Sequence, residues 1–184
     1  MADARRTSAI PERFDGEKFL VVEGRYYNDI NDMLVSGAKR AFEAAGATID
    51  VVTMPGALEI PIAMAIALDA AEAAGRPYAG AVALGCIVRG ETYHFEIVSN
   101  ESNRALTDLA MTRRLPFGNG ILTVENDAQA LARARLDEGD KGGDAACAAL
   151  ALAALKRKGL RRCPAVNAAL PRAFLPCRAS TRWT

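Results

Sequence analysis

Hydrophobic positions along the chain fall into two alternating registers. Phe19-Leu20-Val21-Val22 is a continuous apolar run closed by Glu23-Gly24, which predicts a strand over 19–24 buried on both faces. Ile30, Met33, Leu34, Gly37, Ala38, Ala41, Phe42 and Ala45 then recur at helical spacing, and Gly46 suits the stop of that helix. Residues 48–53 are β-branched and apolar enough for a second strand, closed by Met54-Pro55-Gly56. A helix over 59–74 follows, with Ile60, Ala63, Met64, Ala67 and Ala71 on one face. A strand over 79–87, a helix over 93–111, a strand over 118–124 and a short helix over 127–133 continue the alternation. The last helix begins near Lys141 and ends around Lys158-Gly159. This order predicts an α/β fold, a parallel sheet with helices on both faces. Ligands bind such sheets beyond the carboxyl ends of the strands, so the turns at 24–28, 55–59 and 87–94 are where a site belongs.

Both ends break the pattern. Residues 1–18 are polar and aperiodic and read as an arm, which leaves 19–158 as the folded domain. From 159 to 184, Pro164, Pro171 and Pro176 interrupt every period, and the segment reads as a disordered or non-native tail. A basic tail for RNA or another anionic surface, and a C-terminus replaced by a reading-frame error, are the alternatives. The net charge of +1 hides this asymmetry. From Lys156 onward there are eight basic residues and no acidic one, while the rest of the chain carries fifteen basic against twenty-two acidic. An acidic body argues against nucleic acid as substrate.

Composition narrows the class. A chain of 184 residues, 51% hydrophobic and only 6% aromatic, is one domain's worth with alanine-rich helices packed closely on a sheet. No apolar run reaches the roughly 18 residues of a membrane span, and the opening residues lack the apolar core of a signal peptide. Cys86, Cys147, Cys163 and Cys177 form no CxxC pair, and with a single histidine they argue against a zinc site. Reduced thiols in a cytoplasm fit better than a disulfide framework.

The segment Leu84-Gly85-Cys86-Ile87-Val88-Arg89-Gly90-Glu91-Thr92-Tyr93-His94-Phe95 carries the strongest chemistry. A strand, a glycine-bearing turn and a helix start make an anion site, because unpaired backbone N–H groups point out of a helix N-terminus. The lone His94 stands on the first turn beyond it, and that placement raises acid/base chemistry above surface decoration. Elsewhere the familiar phosphate cradles are absent, with neither a GxxxxGK[ST] loop nor a GxGxxG after the first strand. Tyr27, in Arg25-Tyr26-Tyr27-Asn28, suits stacking on a planar ring or packing at a helix start. In Pro55-Gly56-Ala57-Leu58-Glu59, Gly56 permits close approach of a ligand. Glu59 is equally suited to accepting from a polyol and to complementing the helix dipole.

These blocks, with Gly120-Ile121-Leu122-Thr123, Gln129-Ala130-Leu131-Ala132-Arg133-Ala134 and Asp140-Lys141-Gly142-Gly143, occur in an order and spacing that resembles the 6,7-dimethyl-8-ribityllumazine synthase family over about 19–158. The resemblance implies a three-layer αβα sandwich on a four-stranded parallel, flavodoxin-like sheet, with an N-terminal arm that adds a strand to a neighbouring subunit. It implies a cytoplasmic transferase of riboflavin biosynthesis that needs no metal or organic cofactor. Such an enzyme condenses two small molecules, 5-amino-6-(D-ribitylamino)uracil and 3,4-dihydroxy-2-butanone 4-phosphate, releasing phosphate and water. Residue by residue, Tyr27 matches the aromatic that stacks on the pyrimidine, and Ala57, Leu58 and Glu59 the segment holding the ribityl chain. Cys86, Ile87 and Val88 match the ring pocket, Gly90, Glu91 and Thr92 the phosphate turn, and His94 the acid/base. Arg133 matches the phosphate-binding arginine and Lys141 a lysine near the site. The family's site lies between neighbouring subunits of a pentamer, the arginine coming from the adjacent chain.

Two positions depart from the pattern: Leu58 stands where phenylalanine is frequent, and Asn119 where an aromatic often shields the pyrimidine. The stretch 135–140 lacks the small glycine-rich turn of sixty-subunit capsids, so a simple pentamer is expected rather than a decamer or capsid. A functional link to riboflavin synthase follows from the reaction; nucleic-acid and membrane partners do not. The alternatives are a catalytically weak lumazine- or riboflavin-binding paralogue and a structural shell protein. His94, Arg133 and Lys141 favour the enzyme.

Overall fold

The computed structural model describes residues 12–162. Four strands, β1 (Lys18–Gly24), β2 (Thr48–Met54), β3 (Gly80–Val88) and β4 (Phe117–Val124), alternate with helices α1 (Asn28–Ala44), α2 (Ile60–Ala73), α3 (His94–Arg113), α4 (Asp127–Ala134) and α5 (Lys141–Arg162). All strand pairs are parallel, in the order β2-β1-β3-β4. Each expected element is present, with ends shifted by a few residues at most.

The sheet separates two cores by the two-residue period of its strands. Phe19, Val21, Val82 and Leu84 face α1, α4 and α5, packing with Leu34, Phe42 and Leu150. Leu20, Val22, Ala81 and Ala83 face α2 and α3, packing with Ile60, Met64 and Leu106. The result is a three-layer αβα sandwich. The centre strand β3 is buried from Gly80 to Ile87, as its unbroken apolar run requires, whereas the edge strand β2 is half-exposed along its length.

Helix ends follow their local chemistry. After α1, Gly46 takes φ +80° while its N–H reaches Glu43 O and that of Ala47 reaches Phe42 O, a paired arrangement that stops the helix. Asn126 caps α4 by accepting from the Gln129 N–H, and Gln129 returns a bond to the Glu125 N–H. Asp140, buried and at φ 41°, accepts from the Gly143 N–H at the start of α5 and pairs with Arg40 at 2.5 Å.

Two features differ from the sequence-based boundaries. Phe14 falls in the stretch read as an arm, yet it is fully buried against Phe19, with the Arg157 guanidinium 4.0 Å from its ring centre. The packed unit therefore begins before residue 18. A lone aromatic between Arg13 and Asp15-Gly16-Glu17 has no periodic neighbours to reveal it. At the other end, α5 runs through Gly159 to Arg162, because one glycine costs only about 1 kcal/mol within a helix. Residues 1–11 of the arm expected to add a strand to a neighbour, and residues 163–184 of the tail, lie outside the described residues.

Candidate active site

Three turns at the carboxyl edge of the sheet enclose a cleft of about 470 Å³. Tyr26 and Tyr27 line it after β1, and Pro55, Gly56, Ala57, Leu58 and Glu59 after β2. Cys86, Ile87, Val88 and Gly90 supply its floor from the end of β3, while Thr92, His94, Phe95 and Val98 come from the opening of α3. Its place follows from topology. The chain steps outward from β1 to β2, then returns to the other side of β1 for β3, and the divergence of these connections leaves a crevice.

Close backbone approach shapes the β1 and β2 side. Gly24 ends β1, and a Cβ there would stand 2.8 Å from the Gly56 carbonyl carbon. Only glycine lets the turn carrying Ala57 and Glu59 lie against β1. The Gly24 carbonyl accepts from the buried Asn31 side chain at 2.5 Å, anchoring α1 behind Tyr27. Tyr27 precedes α1 without capping it through its side chain, and its ring packs against the α1 core while lining the cleft. The ring thus packs at a helix start and borders the cleft at once. Partial burial, then Tyr26, Cys86 and Asp127 nearby, push the Tyr27 phenol above its ordinary pKa and keep it neutral. Glu59 is exposed just before α2, whose first turn contains Pro61.

On the β3 side, burial, with a smaller contribution from Asp127, pushes the Cys86 thiol up to about 11. A thiol so placed is an apolar surface rather than a nucleophile. Beyond it, Gly90, Glu91 and Thr92 make no hydrogen bond among the described residues, so their backbone N–H groups are free to meet an anion. His94 opens α3 directly after this turn and is exposed. The imidazole and the unbonded turn therefore share one wall of the cleft.

Ten of the fourteen residues expected from the sequence line the cleft: Tyr27, Ala57, Leu58, Glu59, Cys86, Ile87, Val88, Gly90, Thr92 and His94. Glu91 is exposed on the turn but outside the lining. Asn119, Arg133 and Lys141 are also elsewhere. Asn119, on β4, donates to Asn103 at 2.5 Å and accepts from the Ile121 N–H. Arg133, in the last turn of α4, donates to the Gln129 carbonyl. Lys141 opens α5 and pairs with Asp144 at 2.7 Å. Among the described residues, no lysine or arginine lines the cleft of a single chain.

Gly56, expected to let a ligand approach closely, lines the cleft, as do Tyr26 and Pro55 from the expected turns; sequence reasoning gave no site role to Phe95 or Val98. The signal for Val98 was its spacing, one helical turn beyond His94. Phe95 and Val98 also pack against the α2 and α3 core, so periodicity alone marks them as core. Among the described residues, no group of three His, Cys, Asp or Glu side chains is placed to hold a metal ion, and no helix is long and apolar enough to cross a membrane.

Comparison with known proteins bears directly on this arrangement. The family model described as 6,7-dimethyl-8-ribityllumazine synthase matches residues 16–157. The chain is 63% identical over 150 residues to a 6,7-dimethyl-8-ribityllumazine synthase of Azorhizobium caulinodans, covering 82% of this chain and 93% of that protein. A relative of the same name from Nitrobacter hamburgensis is 61% identical over 160 residues, with 86% and 98% covered. The 6,7-dimethyl-8-ribityllumazine synthase 1 of Rhizobium meliloti is 63% identical over 139 residues, with 76% and 91% covered. On this evidence the chain belongs to the 6,7-dimethyl-8-ribityllumazine synthase family.

Proposed function

We propose that this chain is a transferase of riboflavin biosynthesis that condenses 5-amino-6-(D-ribitylamino)uracil with 3,4-dihydroxy-2-butanone 4-phosphate, releasing phosphate and water. The observation that carries the reading is the convergence of an aromatic, a polyol-facing turn, an unbonded anion turn and one imidazole on a single cleft. Tyr27 stacks on the pyrimidine against the floor of Cys86, Ile87 and Val88, and Glu59 with the Ala57-Leu58 backbone holds the ribityl chain. The turn Gly90-Glu91-Thr92 receives the phosphate.

The reaction needs proton movement more than electronic activation. The pyrimidine amine attacks the ketone and the adduct loses one water to give an imine. Loss of a proton then expels phosphate and leaves an enol that becomes a ketone. The ribitylamine nitrogen adds to that carbonyl and closes the ring as a second water leaves. His94 accepts and returns protons in these steps. Holding the two substrates together contributes up to about 7–11 kcal/mol of barrier lowering, so the site acts largely by alignment.

A phosphate monoester carries about −1.5 to −2 charges at neutral pH, and among the described residues the cleft of one chain has no lysine or arginine in its lining. Arg133 of the partner subunit supplies that charge as a bidentate fork, with Asn119 and Lys141 approaching from the same side. The assembly is a pentamer in the cytoplasm, and its product passes to riboflavin synthase. Mixing the purified protein with both substrates and following lumazine fluorescence above the uncatalysed background tests the reading. Tight riboflavin binding with no product would make the chain a binding paralogue instead.

A further inference from the structure

We propose that Arg89 is a positioning residue for this site, holding the anion turn and the start of α3 in place while its own charge is taken up by Glu96 and Glu125. The inference rests on the synthase reading above and adds a residue that lies outside the cleft lining. Arg89 follows β3 between the lining residues Val88 and Gly90. Its N–H donates to the Val124 carbonyl at 2.9 Å, prolonging the β3 and β4 ladder by one step. Its side chain then reaches in two directions. Nε donates to Glu125 at 2.7 Å, just past β4, and Nη1 donates to Glu96 at 2.5 Å, in the first turn of α3. The guanidinium carbon lies 4.1 Å from the centre of the Phe95 ring, which lines the cleft.

One side chain therefore ties the end of β3, the end of β4 and the opening of α3 together. The turn between these anchors has no hydrogen bond of its own among the described residues, so its shape depends on where its two ends are fixed. His94 and Phe95 move with the second anchor. Neither half-exposed ion pair contributes much to folding, which argues that the clamp serves geometry more than stability. Arg89 holds the Glu96 carboxyl below its ordinary pKa, so the pair stays charged through the neutral range. Two carboxylates on one guanidinium also leave little net positive charge for a ligand. Lysine, a single point charge, cannot span both directions.

The test compares the parent enzyme with Arg89→Met, Arg89→Lys and the double variant Glu96→Gln/Glu125→Gln. Each is measured by steady-state lumazine formation and by calorimetry with inorganic phosphate. Arg89→Met raises the KM for the butanone phosphate and the phosphate Kd about tenfold to a hundredfold, a displacement effect, while the pyrimidine KM stays within about twofold. Arg89→Lys falls between it and the parent. The double variant separates positioning from direct contact: it weakens phosphate binding if Arg89 acts as a clamp, and strengthens it if the freed guanidinium binds the ligand. Unchanged phosphate affinity in Arg89→Met, or tighter binding in the double variant, overturns the proposal. A parent protein that binds phosphate but makes no lumazine overturns the synthase reading instead and leaves the phosphate measurements to decide the role of Arg89.

Discussion

Replacing Gly24 with alanine probes how the backbone shapes the cleft. The added Cβ would stand 2.8 Å from both the carbonyl carbon and oxygen of Gly56 and 3.0 Å from the Ala57 nitrogen. All three neighbours are backbone, so no rotamer change relieves the overlap, and a normal contact requires the chains to part by roughly 0.5–1 Å. On one side is β1, hydrogen-bonded in register to β2 and β3 at Met54 and Gly85. The 55–59 turn is free to give, and it carries Ala57, Leu58 and Glu59 away from the cleft. Overpacking of this kind costs about 1–3 kcal/mol. For a domain of this size that lowers Tm by roughly 2–4 °C per kcal/mol. A shift near 1 Å in a substrate-holding segment weakens function by up to about a hundredfold, here in the KM for the ribitylaminouracil. Gly90→Ala is the control, since nothing lies within 4 Å of its Cβ position, and its Tm should match the parent. Calorimetric melting and steady-state kinetics read both quantities. A Gly24→Ala enzyme with parental Tm and parental KM would refute the argument that close approach sets the turn.

Other outcomes follow from the same geometry. His94→Ala lowers kcat by about a hundredfold or more without abolishing turnover, because alignment of the substrates survives; stopped assays against the uncatalysed background measure the remainder. Cys86, its thiol pushed up to about 11, reacts with iodoacetamide at pH 8 roughly a hundredfold more slowly than free cysteine, as peptide mapping over time would show. Its raised pKa also means that the folded chain keeps a proton the unfolded chain loses. Cys86 therefore lowers stability as pH climbs from about 9 to about 11 and has no effect below, a window absent from the urea melts of Cys86→Ala.

Much of the fold was legible because its elements differ in period. Continuous apolar strands such as β3 and the one-sided face of α1 leave opposite signatures, and their alternation permits few topologies. Phe14 was not legible, since its burial depends on Phe19 and Arg157, the second of them far along the chain. The site divided along a similar line. Residues next to a strand end, such as Tyr27, Cys86 and His94, could be placed from topology. Arg89 could not, because it stands beside lining residues and its partners Glu96 and Glu125 come from two other elements. Asn119, Arg133 and Lys141 entered through resemblance alone. Nothing in one chain's pattern of buried and exposed positions directs a residue toward a neighbouring copy.

That division makes the shared site open to a direct experiment. If His94 of one subunit works with Arg133 of the next, then His94→Ala and Arg133→Ala damage different halves of every interface. Refolding the two variants together at equal concentration gives mixed rings. With random arrangement, about a quarter of the interfaces join an intact His94 to an intact Arg133, another quarter carry both lesions, and half carry one. At a butanone phosphate concentration too low to saturate Arg133→Ala, the mixture should recover about a quarter of parental activity, above either variant alone. If both residues served the same chain's cleft, every cleft would retain one lesion and mixing would yield only the average of the two variants. The separation already visible in one chain, with His94 in the lining and Arg133 bonded to Gln129 outside it, favours recovery.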